Sequence, residues 1–205
     1  MQDPGHPVDQ KQVTTVYDLI YALTDARVPN TPSPFLVAAV AGRPVGTALD
    51  LGSGSGRNAL YLARLGYTVT AVDLSAVGLS LTRLKAQQSG LRLTTVAQDV
   101  NHFAFGKRRW DVIALVNFPF AYRKLLPKMA AGLKPGGLVV IQGVSIHDTT
   151  PPPPSDPLHY TFMDRRDLRR AFAGFCILQD DEGVRPTQWG GKALMVRFSA
   201  EKPRR

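Results

Sequence analysis

The stretch that most constrains the fold lies at residues 48–73, where two short apolar runs flank a glycine-rich loop and an amphipathic segment. The first run leads into the loop Gly-Ser-Gly-Ser-Gly at 52–56, and the second ends in Asp73. Glycines lack a Cβ atom, so the loop can turn sharply and a ligand can lie against its backbone. The pattern predicts a strand, a tight loop, a helix and a second strand, with half of a nucleotide site at the loop.

Spacing within the loop distinguishes between kinds of nucleotide. The dinucleotide fingerprint G-x-G-x-x-G has its third glycine where helix and strand pack closely, and this chain has Arg57 there. Asp50 stands two places before Gly52, where a carboxylate attracts a ligand's amino group but repels a pyrophosphate. Asp73 follows Gly52 by 21 residues, the position from which a parallel sheet presents a carboxylate to ribose hydroxyls. A cationic adenosine ligand therefore fits better than NAD.

Residues 49–73 resemble motif I and the following acidic motif of class I S-adenosylmethionine-dependent methyltransferases. Residues 56–63, Gly-Arg-Asn-Ala-Leu-Tyr-Leu-Ala, are similar to the tellurite-resistance and thiopurine-type branch, which modifies small molecules. The resemblance covers about residues 33–199. It implies S-adenosyl-L-methionine as cofactor and a Rossmann-like three-layer α/β sandwich. Its seven-stranded sheet would be mostly parallel, with one antiparallel strand near the carboxyl terminus.

Further cofactor contacts are expected where other strands end, because ligands of such sheets bind beyond the carboxyl ends of the strands. An alternating segment at 91–97 predicts the third strand and delivers Asp99 and Val100 to its end. In the family this acidic residue accepts a hydrogen bond from the adenine amino group, beside the backbone of the next residue; the alternative is an ordinary turn aspartate. The candidate cofactor-binding residues are Asp50, Gly52, Gly54, Gly56, Arg57, Asp73, Leu74, Asp99, Val100 and Asn117.

Two residues are candidates for the catalytic step. Asn117 follows a nearly continuous apolar strand at 110–116 and opens Asn-Phe-Pro-Phe. This sequence is similar to an Asn-Pro-Pro-Phe-like motif of amino-group methyltransferases, but Phe118 replaces a proline, so amino methylation is only an alternative. His147, in the loop after the fifth strand, is a candidate general base, because histidine is a common proton acceptor in catalysis; the alternative is a solvent-exposed loop histidine. Metal-ligand spacings are absent from the sequence, and no metal is expected.

Four regions are expected along the chain: a flexible tail at 1–11, an amino-terminal helical lid at 12–45, the methyltransferase domain at 46–200 and a basic tail at 201–205. In the lid, Tyr17 and Tyr21 either approach the transferred methyl group or simply pack the helix on the sheet. The prolines at 151–154 predict a stiff substrate-specificity loop or a plain connector.

Periodicity and turn residues predict the remaining elements. Cys176 is expected as a buried strand residue rather than a nucleophile. The predicted helices cover 12–26, 35–41 with Ser33 as cap, 75–89 with Leu79 and Leu84 inward, 122–133, and 161–172 capped near Asp164 with Leu168 and Phe172 inward. A turn at 134–137 would precede the strand 138–141, and the closing strands 175–180 and 192–198 would be joined by a connection at 181–191 that includes Trp189.

Charge and composition bear on partners and location. A formal charge of +9 and a pI near 10.0 raise the question of nucleic acid. The basic residues are scattered in ones and twos with small clusters, which favours a solvated surface. One cysteine fits a reducing compartment, and no apolar run approaches the length of a membrane helix, so we expect a cytoplasmic protein without a membrane partner.

The reaction expected from these features is direct in-line methyl transfer to a small molecule with a soft sulfur, selenium or tellurium nucleophile. A sulfonium methyl is already activated, so the reaction needs mainly alignment and exclusion of water. The alternatives are methylation of RNA or of an amino group, and a non-catalytic module that binds the cofactor. The sequence does not predict the oligomeric state.

Overall fold

The computed structural model describes residues 10–24, 31–118, 121–149, 162–187 and 191–204. The helices are α1 (Gln10–Thr24), α2 (Pro34–Val40), α3 (Arg57–Arg64), α4 (Ala76–Gln88), α5 (Leu126–Gly132) and α6 (Arg165–Ala171). The strands are β1 (Thr47–Leu51), β2 (Thr68–Asp73), β3 (Thr94–Ala97), β4 (Trp110–Val116), β5 (Leu133–Val144), β6 (Cys176–Pro186) and β7 (Lys192–Glu201). Within these ranges no helix is long and apolar enough to cross a lipid bilayer.

The seven strands form one sheet in the order β3-β2-β1-β4-β5-β7-β6. Strands β1 to β5 pair in parallel, whereas β7 runs antiparallel to both β5 and β6. In the described sheet, β7 is therefore the one strand that runs antiparallel to the other six, as predicted. Because the order reverses beside β1, the carboxyl ends of β1 and β4 border a crevice of the kind that binds ligands in open α/β sheets.

Alternation of side chains along the strands builds a core on each face of the sheet. One core joins Leu49, Ile113 and Ile141 to α5 and α6. The other joins Ala48 and Val112, with their neighbours in the sheet, to α2, α3 and α4. Helices thus cover both faces, which gives the predicted three layers. The central strand β4 is at most 5% exposed from residue 112 to residue 116, so it is buried on both faces.

Several element boundaries differ from the predictions. Helix α1 begins two residues before the predicted start at 12. Helix α5 is shorter than the predicted 122–133, because Pro127 is compatible only with the first turn of a helix. The predicted turn at 134–137 is instead a bulge inside β5: Trp110 pairs with Leu133, and pairing resumes with Val112 opposite Leu138.

The carboxyl-terminal hairpin is longer than expected. Residues 181–186, predicted as part of a connection, continue β6 and pair with β7. Asp181 forms ion pairs with Arg185 and Arg197 at 2.8 Å, so polar side chains stabilise this pairing without an apolar pattern. Because β6 is an edge strand, Cys176 is exposed and not buried as predicted.

Burial confirms three of the four side chains predicted to point inward. Leu79, Leu168 and Phe172 are each 0% exposed, and Asp164 caps α6 as expected. Leu84 was predicted to face inward but is 49% exposed, since it lies on the outer side of α4. Trp189 and the prolines at 151–154 lie outside the described residues.

Candidate functional site

The glycine loop between β1 and α3 has the conformation that its sequence predicts. Gly52, Gly54 and Gly56 have φ angles of +65°, +54° and +87°, in the region that favours glycine. The N–H groups of Gly52 and Ser53 donate to the carbonyl of Val72, at 2.9 and 3.2 Å, which fastens the loop to β2. Gly56 is the N-cap residue of α3, so the helix begins directly after the turn.

Aromatic side chains lie against the backbone of this loop. A Cβ atom on Gly52 would approach the ring of Phe118 to 2.6 Å. A Cβ atom on Gly54 would come within 3.0 Å of the Tyr21 carbon that bears the hydroxyl, and closer still to the hydroxyl. Tyr21 is 8% exposed, so α1 covers the loop. Helix α1 therefore contacts the glycine loop through Tyr21. Whether Tyr21 also approaches the transferred methyl group stays a prediction.

Asp50 ends up buried in the second-last position of β1. Its side chain is 1% exposed, and among the described residues its Oδ2 atom has no hydrogen-bond partner. Burial raises the pKa of this carboxyl to about 7, with Asp73 adding to the rise, whereas Arg57 and the N–H of Ala59 oppose it. A buried polar atom without a partner is costly, and a cationic amino group of a ligand would satisfy it.

Arg57, the first residue of α3, lies near this carboxyl. Burial lowers the pKa of the guanidinium, and the charge of Asp50 opposes the change. A carboxyl and a guanidinium side by side complement the amino and carboxylate groups of an amino-acid ligand. The structure thus brings together Asp50 and Arg57, two residues that the sequence predicts as cofactor ligands.

Asp73, at the end of β2, is part of the loop's own hydrogen bonding. Its Oδ2 accepts from the N–H of Gly54 and its Oδ1 from the N–H of Ser75, both at 2.8 Å. Burial raises its pKa, and the N–H groups of Ser75, Gly54 and Leu74 oppose the rise. Each carboxylate oxygen can accept a second hydrogen bond, so the predicted contact with ribose hydroxyls is compatible with these bonds.

Asp99 and Val100 follow β3. The Oδ1 atom of Asp99 accepts from the backbone N–H and the side-chain amide of Asn101, at 2.9 and 3.1 Å, and Oδ2 lies 3.4 Å from Nδ1 of His102. Val100 is 4% exposed and packs in the core with Val72. Asp99 therefore shapes the turn after β3, and its contact with adenine stays a prediction.

Asn117 follows β4 in a left-handed conformation with φ +57°. Its N–H donates to the carbonyl of Gln142 at 2.8 Å, and its Oδ1 accepts from Nε2 of Gln142 at 3.2 Å. With Asp50, Asp73 and Asp99 it lies at the carboxyl ends of the adjacent strands β4, β1, β2 and β3. The structure thus gathers these four predicted residues along one edge of the sheet.

The described contacts of His147 do not include any of these four residues. It is exposed, its N–H donates to Oγ of Ser145 at 3.0 Å, and its charge contributes, after that of Arg166, to the lowered pKa of Asp164. These contacts connect His147 to the start of α6 and not to the glycine loop. Its role as a general base stays a prediction.

Polar residues that the sequence did not single out support the site. Oγ of Ser75 donates to the carboxylate of Asp18, which ties α1 to the start of α4. Oγ1 of Thr82 contacts the carbonyl of Gly54 at 3.1 Å. Ser33, predicted only as a helix cap, also contacts Asn58 and Gln142. These partners are far apart in sequence, so no local pattern could have revealed them.

The site fits an S-adenosylmethionine-type cofactor on its own geometry. Asp50 has a buried carboxyl oxygen that lacks a partner among the described residues, and the guanidinium of Arg57 lies near it. No group of three or more His, Cys, Asp or Glu side chains suited to a metal ion occurs in the described part of the chain.

Comparisons with known proteins agree with this geometry. The family model described as "Methyltransferase domain" matches residues 48–137. Hemagglutinin 1 of Eikenella corrodens is 33% identical over 165 residues, which cover 76% of this chain and 54% of that protein. The probable S-adenosyl-L-methionine-dependent methyltransferase TehB of Haemophilus influenzae is 27% identical over 158 residues, which cover 74% of this chain and 54% of TehB. The chain thus spans about half the length of these curated relatives.

A solved structure extends the likeness to the whole fold. The structure described as "Conversion of a Disulfide Bond into a Thioacetal Group during Echinomycin Biosynthesis" is 25% identical in sequence and has a TM-score of 0.71. The superposed part covers 94% of this chain and 92% of the chain in that structure. The sheet order, the glycine loop with its acidic neighbours and these matches lead to one conclusion. The chain belongs to the class I S-adenosylmethionine-dependent methyltransferases and resembles TehB.

Proposed function

We propose that this protein transfers the methyl group of S-adenosylmethionine directly to a small-molecule acceptor, in line, and that the acceptor is a soft sulfur, selenium or tellurium nucleophile. The observation that carries the cofactor assignment is the buried carboxyl of Asp50, whose Oδ2 has no partner among the described residues. When bound, the cofactor supplies an activated sulfonium methyl group. The work left to the protein is binding, alignment and exclusion of water.

Each strand-end residue has a role in this proposal. Asp50 and Arg57 bind the amino and carboxylate groups of the methionyl part, and Asp73 accepts hydrogen bonds from the ribose hydroxyls. Asp99 and the backbone of Val100 hold the adenine. Tyr21 covers the glycine loop and excludes water from it.

A soft acceptor agrees with the protonated state of Tyr21, the tyrosine that lies against the glycine loop. Burial raises the pKa of its hydroxyl, so this hydroxyl is not a base near neutrality. A thiolate or a reduced chalcogen needs no base, since its nucleophilic atom is already anionic or lone-pair rich. The resemblance of residues 56–63 to the tellurite-resistance and thiopurine-type branch and the sulfur chemistry named for the echinomycin structure support the same acceptor class.

The net positive charge of the chain by itself suggests RNA as an acceptor, but the positions of several basic residues argue against it. Lys107, Arg108 and Arg109 precede β4, and Lys202 follows β7, so these residues lie at the opposite edge of the sheet from the glycine loop. Nζ of Lys202 donates to the carbonyl of Leu133 at 2.9 Å, at the start of β5. RNA held at that edge would not present a base to Asn117.

Calorimetric titration with S-adenosylhomocysteine tests the cofactor assignment. Wild type should bind, and Asp73→Ala and Asp50→Asn should each weaken binding at least tenfold, or about 1.4 kcal/mol. Asp111→Asn is the matched control, because Asp111 pairs with Lys134 at the amino-terminal end of β4. Absence of binding by wild type, or equal binding by all variants, would refute the assignment.

A screen for release of S-adenosylhomocysteine from S-adenosylmethionine tests the acceptor. The panel contains thiols, selenite, tellurite, halide, amines and RNA. Turnover with a thiol or a chalcogen compound is the expected result. Turnover only with amines or RNA would overturn the acceptor class, and RNA binding should then weaken steeply with salt. Cofactor binding without any turnover would support a non-catalytic module.

A further inference from the structure

Positive charge is concentrated at the edge of the sheet that lies opposite the glycine loop. Strands β1, β4, β5 and β7 are neighbours, and the segments before β1 and β4, at the start of β5 and at the end of β7 meet at this edge. These four segments, which we call the basic edge, are residues 42–47, 106–111, 132–137 and 201–204. They carry seven basic and two acidic side chains, an excess of five positive charges in a chain of formal charge +9. Residues that are scattered along the sequence are thus gathered by the fold.

Contacts between the segments make the basic edge one continuous surface. Nη2 of Arg43 donates to the carbonyl of Gly136 at 3.1 Å, and Nζ of Lys202 donates to the carbonyl of Leu133 at 2.9 Å. Burial lowers the pKa of Lys202, and the nearby positive charge of Arg108 lowers it further. Cations from three of the segments therefore lie side by side, and like charges at such distances repel one another.

The two acidic side chains of the basic edge are already paired. Glu201 forms ion pairs with Arg43 at 2.7 Å and with Arg204 at 3.7 Å. Asp111 forms an ion pair with Lys134 at 2.6 Å. These pairs neutralise part of the surface, so the excess charge lies on the remaining basic side chains.

The consecutive side chains of Lys107, Arg108 and Arg109 are exposed and form no ion pair with the described residues. They are not required to neutralise the carboxyl-terminal end of α5, because the carbonyls of Ala131 and Gly132 accept the backbone N–H groups of Arg108 and Arg109, at 3.0 and 2.8 Å. The same two bonds hold Arg108 at φ +48°, a conformation that is uncommon outside glycine. The fold thus fixes three exposed cations in place without an internal partner.

The side chains around these cations indicate the kind of partner. The ring of Trp110 is 2% exposed and lies beneath the guanidinium of Arg109, which is 4.6 Å from the ring centroid. Within the basic edge, Val45 is the one exposed large apolar side chain. The surface therefore offers neither an exposed ring on which unpaired bases stack nor an apolar patch that enters a lipid bilayer.

The remaining interaction is with phosphate groups. Guanidinium groups bind phosphate oxygens through paired hydrogen bonds, and two of the three unpaired cations are arginines. Four adjacent strands at a spacing of about 4.8 Å make the edge about 14 Å long. A duplex carries one phosphate charge per about 1.7 Å of its axis, so an edge of this length can contact several phosphates at once.

We propose that the basic edge binds the phosphate backbone of a nucleic-acid duplex without regard to base sequence. This inference goes beyond the proposed function, because the duplex is a binding partner and not the methyl acceptor. Phosphate contacts carry no sequence information of their own. Because the glycine loop lies at the opposite edge of the sheet, the protein can hold the duplex and the cofactor at the same time.

Fluorescence anisotropy with a labelled DNA duplex of about 20 base pairs tests the proposal. Wild type should bind at physiological salt with a Kd of roughly 10⁻⁶ to 10⁻⁴ M, and a duplex of unrelated sequence should bind within about twofold. If residues 107–109 each contact one phosphate, the logarithm of the binding constant should fall against the logarithm of the salt concentration with a slope of about −2.7. Absence of binding, or binding that does not respond to salt, would overturn the proposal.

The double variant Lys107→Gln/Arg109→Gln removes two of the three expected phosphate contacts. Duplex binding should weaken at least tenfold and the salt slope should fall to about −1, since each lost contact removes about one unit of slope. The matched control is Lys124→Gln/Arg83→Gln, which removes the same charges from exposed positions outside the basic edge and should bind like wild type. Equal losses in the two double variants would show that only total charge matters, and the basic edge would not be the site.

A further measurement on the wild type needs no substitution. The affinity for S-adenosylhomocysteine should stay within about twofold when the protein is saturated with duplex, whereas competition between the two ligands would place the duplex at the wrong edge. Sedimentation with vesicles of phosphatidylserine and phosphatidylcholine is the second arm, and binding to vesicles but not to duplex would refute the choice of partner. If wild type binds no S-adenosylhomocysteine, the proposed function is at fault, and the anisotropy titrations still decide the role of the basic edge.

Discussion

Cofactor affinity should depend on pH through Asp50, and the structure predicts the direction and the size. The pKa of this buried carboxyl is about 7 because of burial, and only its ionised form attracts the ligand's amino group. The carboxyl is about 3% ionised at pH 5.5 and about 50% ionised at pH 7, by the definition of a pKa. The α-amino group of the ligand, with an ordinary pKa of about 7.7–8.0, stays mostly protonated over this range.

The affinity for S-adenosylhomocysteine should therefore rise about 16-fold from pH 5.5 to pH 7, the ratio of the two ionised fractions. Isothermal titration calorimetry at several pH values measures it. Repeating each titration in buffers of different ionisation enthalpy also counts protons, and binding at pH 5.5 should release close to one proton from Asp50. Asp50→Asn should bind weakly at every pH and lose this part of the dependence.

The comparison with Asp50→Asn separates the protons bound by Asp50 from those bound by any other group. If the variant and wild type show the same slope of affinity against pH, or if acidification strengthens wild-type binding, Asp50 is not the ligand of the amino group.

Three further predictions concern the folded chain. Asp50→Asn should stabilise the ligand-free protein at pH 8 by on the order of a few kcal/mol, because a raised pKa means that the wild-type fold loses stability as the pH rises from about 4 to about 7; urea unfolding should show this gain shrink as the pH falls from 7 toward 4. Gly54→Ala should abolish cofactor binding and destabilise more than Gly90→Ala, since both positions have positive φ but only the first Cβ would meet Tyr21; equal losses in thermal melts would exclude the clash. Leu115→Ala should cost about 2–5 kcal/mol of unfolding free energy, because this fully buried side chain packs in the core beside α5, and a loss below 1 kcal/mol would contradict that packing.

The long-range contacts of Ser33 show a limit of local reasoning. Ser33 and Asn58 are 25 residues apart, and Ser33 and Gln142 are 109 apart. Ser33 carried a signal for helix capping alone, and Gln142 lay inside an apolar strand without any motif. Their contact exists because α2 packs over the carboxyl end of β5.

Local patterns determined the backbone of the site. The Gly-Ser-Gly-Ser-Gly loop, the apolar runs and the acidic residues after them predicted the parallel strands and the edge of the sheet at which Asp50, Asp73, Asp99 and Asn117 meet. These features depend on glycine φ angles and on side-chain alternation, which neighbouring residues specify.

The tertiary structure alone decided burial and polarity. It left Oδ2 of Asp50 without a partner among the described residues, placed Tyr21 on Gly54, exposed Cys176 on an edge strand and joined Asn117 to Gln142. Burial and hydrogen-bond partners arise from contacts between elements distant in sequence. The chain's own pattern therefore indicates where the cofactor binds, whereas long-range packing determines the pKa of Asp50 and the partner of Asn117.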